Sequence, residues 1–347
     1  MPTGFDAGAY LPREVYEGIT EIRVRQPGFA DSEADRRARR RVAAPDGKLV
    51  ILAGDDPGRA SLGGPEDRSA AGGRHEHLAR ILRVLSHARV DGVMSTPDVV
   101  EDLLILAGLI RERGGQSPLD ERLLIGSMNR GGPPGTLSEM DDRLAAFVPR
   151  RMAVLGLDGG KLTVRIDRTD RGSPATIANI ANIANIEGCA RAVSDLAEAS
   201  LLVFLEPVPV LSGNGDHTAV RTLRALAEAV SAASAIGTSS LYTWLVLPAC
   251  PDFAEVARAT TLPLMIRGGD EAGGPRAARP MLESLRHGLA AGSNVRGAVI
   301  GPSVLYPGAD DPRAVAAAVT AIVREGAGVE EALAAMEAER GKDPELV

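Results

Sequence analysis

Eight short apolar runs, each followed by a stretch of helical periodicity, constrain this chain more than any other feature. The runs cover residues 48–53, 92–96, 122–127, 161–167, 201–206, 242–247, 263–268 and 297–301. Runs of this length bounded by turn residues read as strands, and their alternation with helices reads as a parallel sheet covered on both faces. Eight such units in 347 residues make a closed (β/α)8 barrel the simplest α/β architecture, since that fold takes roughly 250 residues. A doubly wound open sheet is the competing arrangement. The expected division is an N-terminal arm over 1–47, the barrel over 48–327, and a C-terminal helix and tail over 328–347.

One strand is unlike the others. In 161–167, Lys161, Thr163, Arg165 and Asp167 fall on one face, and Leu162, Val164 and Ile166 on the other. A strand covered by helices has no solvent side, so its polar row is expected inside the barrel. Only three of the 39 lysines and arginines are lysines: Lys48, Lys161 and Lys342. Charge alone is supplied elsewhere by arginine, so a lysine in a strand suggests a chemical role. The alternative is a structural lysine paired with a carboxylate.

Active sites of such barrels lie at the C-terminal ends of the strands. Asp55 and Asp56 follow strand one, Asn129 and Arg130 strand three, and Glu206 ends strand five. Arg267, Gly268, Gly269 and Asp270 close strand seven, whereas Lys48 opens strand one and belongs to the opposite end. An interior lysine among carboxylates suits imine chemistry, in which burial beside an arginine would favour the neutral amine and an acid such as Glu206 would move protons. Lys161, Glu206, Asp55 and Asp56 are therefore the candidate catalytic residues. Asn129, Arg130, Arg165, Arg267 and the amides of Gly268 and Gly269 are the candidate substrate-binding groups, the last four suited to a phosphate. A hard cation held by Asp55, Asp56, Glu206 and Asp270 is a third option, but no metal or other cofactor is expected.

Composition narrows the partners. Hydrophobic residues make up 44% of the chain, enough for a sizeable core, and the net charge of −7 gives no reason to expect nucleic acid. Two cysteines make no disulfide framework, and no apolar run reaches the length of a membrane span. A soluble cytoplasmic homo-oligomer acting on a small carbonyl or sugar-phosphate-like substrate is the expectation.

Outside the strands, 32–41 reads as an exposed helix capped by Ser32, with its arginines in solvent. His75 and His77 sit in a helix over 75–87 and read as surface residues. Further helices are expected over 139–155, 218–236 and 329–340. Residues 178–186 repeat Ala-Asn-Ile three times. A period of three drifts around a helix, so the repeat reads as a tandem expansion without function.

The segments ILAGDDPGR (51–59), DGVMSTPDVVEDLL (91–104), IGSMNRGG (125–132), LDGGKLTVRID (157–167), LEP (205–207) and YTWLVLP (242–248) together give the chain a family resemblance. It resembles the class I aldolases of (β/α)8 fold, in the group of bacterial tagatose-bisphosphate and fructose-bisphosphate enzymes. More closely it is similar to an actinobacterial, deoxyribose-phosphate-aldolase-like branch associated with inositol breakdown. The resemblance covers about 49–307 and implies an active-site aspartate at Asp55, lysine at Lys161 and acid at Glu206. It also implies a Schiff-base lysine on strand six, where this chain has Val246. An Asp-His pair on strand one is replaced by Asp55-Asp56, and a Gly-Arg phosphate motif after strand eight by Gly301-Pro302. Three expectations follow: imine formation has moved to Lys161, the chemistry has changed, or the barrel binds a ligand or regulates without catalysis.

Overall fold

The computed structural model describes residues 5–59, 73–129, 140–167, 177–213, 216–268, 278–342 and 345–346. Strands β1 (Leu49–Ala53), β2 (Gly92–Ser95), β3 (Leu123–Ser127), β4 (Gly159–Asp167) and β5 (Leu202–Gly213) follow one another in parallel. A short strand β6 (Asp216–Ala219) turns back antiparallel on the end of β5. Strands β7 (Thr243–Pro248), β8 (Leu264–Arg267) and β9 (Val295–Ile300) continue the parallel order, and β9 pairs with β1. Eight parallel strands thus close into a (β/α)8 barrel with helices around it.

Two apolar regions fill the fold. The larger lies between strands and helices and runs without a break from Ala7 in the arm to Met336 in the last helix. The smaller fills the lumen with Leu49, Ile51, Met94, Leu123, Ile125, Phe204, Val246, Met265 and Val299. The lumen is therefore a packed core, and chemistry is confined to the layer above it. No helix among the described residues is long and apolar enough to cross a membrane.

The arm is more elaborate than expected. Helices span Ala7–Tyr10, Arg13–Arg25 and Phe29–Arg36, so Ser32 lies inside a helix, and its hydroxyl donates to the Gly28 carbonyl rather than capping. Of the arginines after the helix, Arg37 and Arg40 are drawn in, whereas Arg39 and Arg41 stay exposed. Buried Arg37 donates to the carbonyls of Arg122 and Gly156 (both 2.6 Å) and to Asp158 Oδ2 (2.9 Å). Arg40 and Arg324 converge on Asp91, which also accepts from Val50 N (2.6 Å). Asp158 and Asp91 precede β4 and β2, so these arginines close the N-terminal end of the barrel. Helix periodicity cannot report such carboxylates, because they come from distant parts of the chain.

Other boundaries also move. Of the helix expected over 139–155, residues 140–155 are described, and the helix there that starts on a proline, as suits the first helical position, is Pro149–Val154. Residues 141–148 before it are irregular, apart from an isolated bridge between Asn129 and Leu144. In 218–236, β6 occupies the start and the helix is Leu223–Ser234, capped by Thr222. The final helix, Val329–Glu339, lies where it was expected and buries Ala332 and Met336.

Candidate functional site

β4 places Lys161 in the barrel because of what precedes it. At Gly159 a Cβ would come within 2.7 Å of Leu202 O, and at Gly160 within 2.8 Å of the Leu196 and Met128 side chains. The glycine pair lets β4 seat closely against its neighbours, and alternation then turns Lys161, Thr163 and Arg165 to the same side. The lysine is 4% exposed.

Its ammonium lies at the centre of a compact network. Lys161 Nζ is 3.1 Å from Glu206 Oε2, 3.7 Å from Asp55 Oδ2, and donates to Thr163 Oγ1 at 3.0 Å. Thr163 Oγ1 donates in turn to Glu206 Oε2 at 3.2 Å. Arg267, on β8, holds the other oxygen of Glu206, and Ser127 Oγ, at the end of β3, donates to Asp55 Oδ2 at 2.9 Å. Side chains on or just after β1 (Asp55), β3 (Ser127), β4 (Lys161 and Thr163) and β5 (Glu206) thus meet in one buried polar cluster, and β8 backs it with a guanidinium.

The lysine's charged neighbours are carboxylates, which favour the ammonium. The Arg267 guanidinium meets the amine through the Glu206 carboxylate that both contact. Arg165 pairs with Asp142, in the segment after β3, and Arg267 pairs with Glu206. An ammonium can attack a carbonyl only after losing a proton, and Glu206 Oε2 is a carboxylate oxygen within 3.1 Å of this one.

Below Asp55, the Gly54 carbonyl is held by Ser95 Oγ (2.7 Å) and His77 Nε2 (3.0 Å). His77 is 1% exposed rather than a surface residue. Burial pushes its pKa down, and the neutral ring donates from Nε2 to Gly54 while Nδ1 accepts from the Tyr306 hydroxyl (2.9 Å). The helix Arg74–Leu85 carries His77 on its inner face, which two histidines two residues apart could not reveal.

Not every expected residue joins the cluster. Asp56 is half-buried at the rim and begins the turn Asp56–Arg59. Asn129 is fully buried, with both ends of its amide on backbone: Nδ2 donates to Thr163 O (2.7 Å) and Oδ1 accepts from Thr163 N (2.8 Å). That overturns an open substrate-binding role for it. The Gly268 amide donates to Val299 O (2.9 Å) within the barrel seam, so it is not offered to an anion. Arg130, Gly269 and Asp270 lie outside the described residues. Among the described residues, no group of three or more His, Cys, Asp or Glu could hold a metal ion.

Ser127, Thr163 and Asp142 were missed as site residues. Thr163 had a signal, since it shares the polar row of β4 with Lys161, and Ser127 had one as the last residue of β3, whereas Glu206 lies within β5, which runs on to Gly213 instead of ending at 206. Asp142 had none, because an extended loop carries no periodicity. The other two lysines are elsewhere: Lys48 Nζ donates to Arg324 O (3.3 Å) at the N-terminal end, and exposed Lys342 pairs with Glu339. Val246 packs in the lumen cluster with Phe204 and Met265, one residue past Leu245, which pairs with Leu205.

Residues 47–323 match the model of a protein family described as Cgl0159-like. The crystal structure of Cgl0159 from Corynebacterium glutamicum (Brevibacterium flavum) is 32% identical, with a TM-score of 0.79 over 91% of this chain and 99% of that one. The fold is also that of a fructose-bisphosphate aldolase from Slackia heliotrinireducens DSM 20476, at 14% identity and a TM-score of 0.59 over 95% of this chain and 94% of that one. An archaeal fructose-1,6-bisphosphate aldolase, whose catalytic Lys was captured covalently bound to the carbinolamine intermediate of its substrate, is 17% identical, with a TM-score of 0.54 over 85% of this chain and 99% of that one. No curated protein matches the chain at a significant level.

Proposed function

This chain belongs to the Cgl0159-like family, and from that premise we propose that it is a divergent class I aldolase-like lyase acting on a small polyhydroxylated carbonyl compound through Lys161. The observation that carries the proposal is the buried Lys161 ammonium between Glu206 and Asp55, bridged by Thr163. A barrel without chemistry gains nothing from this layer. Burying such ions costs several kcal/mol each before pairing, and apolar residues of similar volume are often as stable.

In the proposed reaction Glu206 takes a proton from the Lys161 ammonium across 3.1 Å, and the freed amine adds to the carbonyl carbon. The carbinolamine oxygen is protonated by the Glu206 carboxyl, and loss of water leaves a protonated imine. A carboxylate, Asp55 or Glu206, then removes the proton of the β-hydroxyl. The bond between the α and β carbons breaks, the β fragment leaves as a carbonyl compound, and the electron pair passes into an enamine. Protonation of the enamine carbon and hydrolysis of the imine restore Lys161. Arg267 on Glu206 Oε1 keeps that carboxylate oriented, so its Oε2 faces the amine throughout.

The likeness to the archaeal enzyme with its lysine-bound carbinolamine supports the reaction class. The sequence resemblance to class I aldolases implies a Schiff-base lysine on strand six, where this chain has Val246, and Lys161 is the amine we assign the role instead. The test is borohydride reduction in the presence of candidate hydroxyketones, followed by peptide mass analysis. The adduct is expected on the peptide containing Lys161 and is expected to vanish in Lys161→Met. Turnover that persists in Lys161→Met would exclude imine chemistry and leave Glu206 and Asp55 as an acid–base pair.

A further inference from the structure

β4 outruns its neighbour. β3 pairs with it only as far as Ser127 opposite Lys161, whereas β5 accompanies it to Asp167 opposite Val210. From Thr163 onward, the edge of β4 that faced β3 has no strand beside it among the described residues, although Thr163 and Arg165 are 2% and 4% exposed. Buried backbone groups without partners are costly, so something must take the place of β3.

Asparagine side chains do so. Asn129 meets Thr163 N and Thr163 O, at 2.8 and 2.7 Å. Asn185 Oδ1 accepts from Arg165 N at 2.9 Å, and its Nδ2 donates to Asp142 O at 2.9 Å and, more weakly, to Thr163 O at 3.4 Å. Asn182 Nδ2 donates to Arg165 O at 2.5 Å, and its Oδ1 lies 3.4 Å from Asp167 N. Every edge group of β4 from Thr163 N to Asp167 N therefore faces a primary amide, which carries the same donor and acceptor as a peptide group.

Asn182 and Asn185 come from the Ala-Asn-Ile repeat, at the start of the helix Ile177–Glu198. A period of three is poor for burying isoleucines: Ile183 is 57% exposed. The same period puts successive asparagines about 60° apart on a helix, near enough for two of them to address one strand edge. Helical rise carries them along that edge.

We propose that the repeat is a positioning element: Asn182 and Asn185, with Asn129, act as a surrogate strand that extends β4 and fixes Thr163 between Lys161 and Glu206. The consequence for catalysis rests on the imine reading above, whereas the surrogate strand itself does not. Asn185 also ties Asp142 O to β4, and the Asp142 carboxylate holds Arg165. Its loss releases both sides of this junction at once.

The test uses the full chain with Asn185→Ala, Asn182→Ala and the milder Asn185→Asp, which keeps the acceptor for Arg165 N and loses the donors. Amide hydrogen exchange reads the ladder directly. Exchange at Arg165 is expected to rise at least tenfold in Asn185→Ala and at Asp167 in Asn182→Ala, with the lumen strands β1, β2 and β9 unchanged. Reductive trapping of Lys161 with dihydroxyacetone and borohydride reads the consequence. Asn185→Ala is expected to slow trapping at saturating probe by roughly tenfold and to shift its pH profile, while half-saturation barely moves, as displacement of a reacting group does. Asn185→Asp should recover part of the Arg165 protection. Unchanged exchange at Arg165 in Asn185→Ala and at Asp167 in Asn182→Ala overturns the surrogate strand, and unchanged trapping with raised exchange overturns the positioning role. If wild type is not trapped at all, the imine reading fails, and the exchange data alone decide whether the repeat completes β4. If Asn185→Ala does not fold, Asn185→Asp and Asn182→Ala carry the same measurements.

Discussion

Replacing Lys161 by methionine removes the cation and nearly preserves the volume, so its effect reads the electrostatics of the cluster. At an effective dielectric constant of 20, a charge pair at 3.1 Å is worth about 5 kcal/mol and one at 3.7 Å about 4 kcal/mol. Most of that attraction offsets the desolvation of a lysine side chain only 5% exposed. Breaking a buried pair by removing one partner typically costs about 3–5 kcal/mol, because the remaining charge stays buried. Here Glu206 keeps Arg267 and Thr163, and Asp55 keeps Ser127, which points to the lower end, about 3 kcal/mol. Urea unfolding followed by circular dichroism measures it, and with a slope of about 3 kcal/mol/M the midpoint should fall by about 1 M. Borohydride trapping on the same variant should be lost. A destabilisation below about 1 kcal/mol, the range of exposed pairs, would refute the reasoning, because it would mean that Lys161 is not locked between the two carboxylates in solution.

Three further predictions follow from other parts of the molecule. Val246→Lys puts an amine into the lumen layer beside Phe204 and Met265. It should cost several kcal/mol unless Glu206 reaches the new ammonium, and a folded variant that gains aldol cleavage in an aldehyde-release assay would show the polar layer competent for imine chemistry at either position; a folded, stable and inert variant would speak against that. His87 is buried with Nε2 on Thr320 Oγ1, and burial pushes its pKa down to about 4. The unfolded chain then binds the extra proton first, so stability should fall by about 2–3 kcal/mol as pH drops from about 6.5 to about 4 and level off below. Urea midpoints across that range should show His87→Gln losing less than wild type, and parallel curves would contradict it. Arg37→Ala removes two carbonyl contacts and one carboxylate contact at the N-terminal end, costing about 3 kcal/mol and exposing the 37–47 linker to limited proteolysis; wild-type resistance would argue that the arm is not latched there.

Strand–helix alternation made a closed barrel the simplest architecture, because eight buried strands with covering helices have few ways to pack, and the pairing of β9 with β1 decided against an open doubly wound sheet. The polar row of β4 likewise located Lys161, since alternation on a strand is a local property and needs no partner to be read. Glu206 and Asp55 were legible for the same reason: each ends an apolar run. What lay out of reach was how these residues pair. Arg165 and Arg267 read as open cations, yet Asp142 and Glu206 neutralise them. Gly268 read as an anion-binding amide, yet Val299 takes its hydrogen. The Arg37 to Arg40 run read as a solvated surface, yet it grips Asp158 and Asp91. The Ala-Asn-Ile repeat, unpromising by periodicity, supplies the missing edge of β4. In each case the deciding partner lies far along the chain or in a loop without a repeating pattern. Periodicity reports which side of an element a residue faces, whereas the closure of the barrel decides what stands there to meet it.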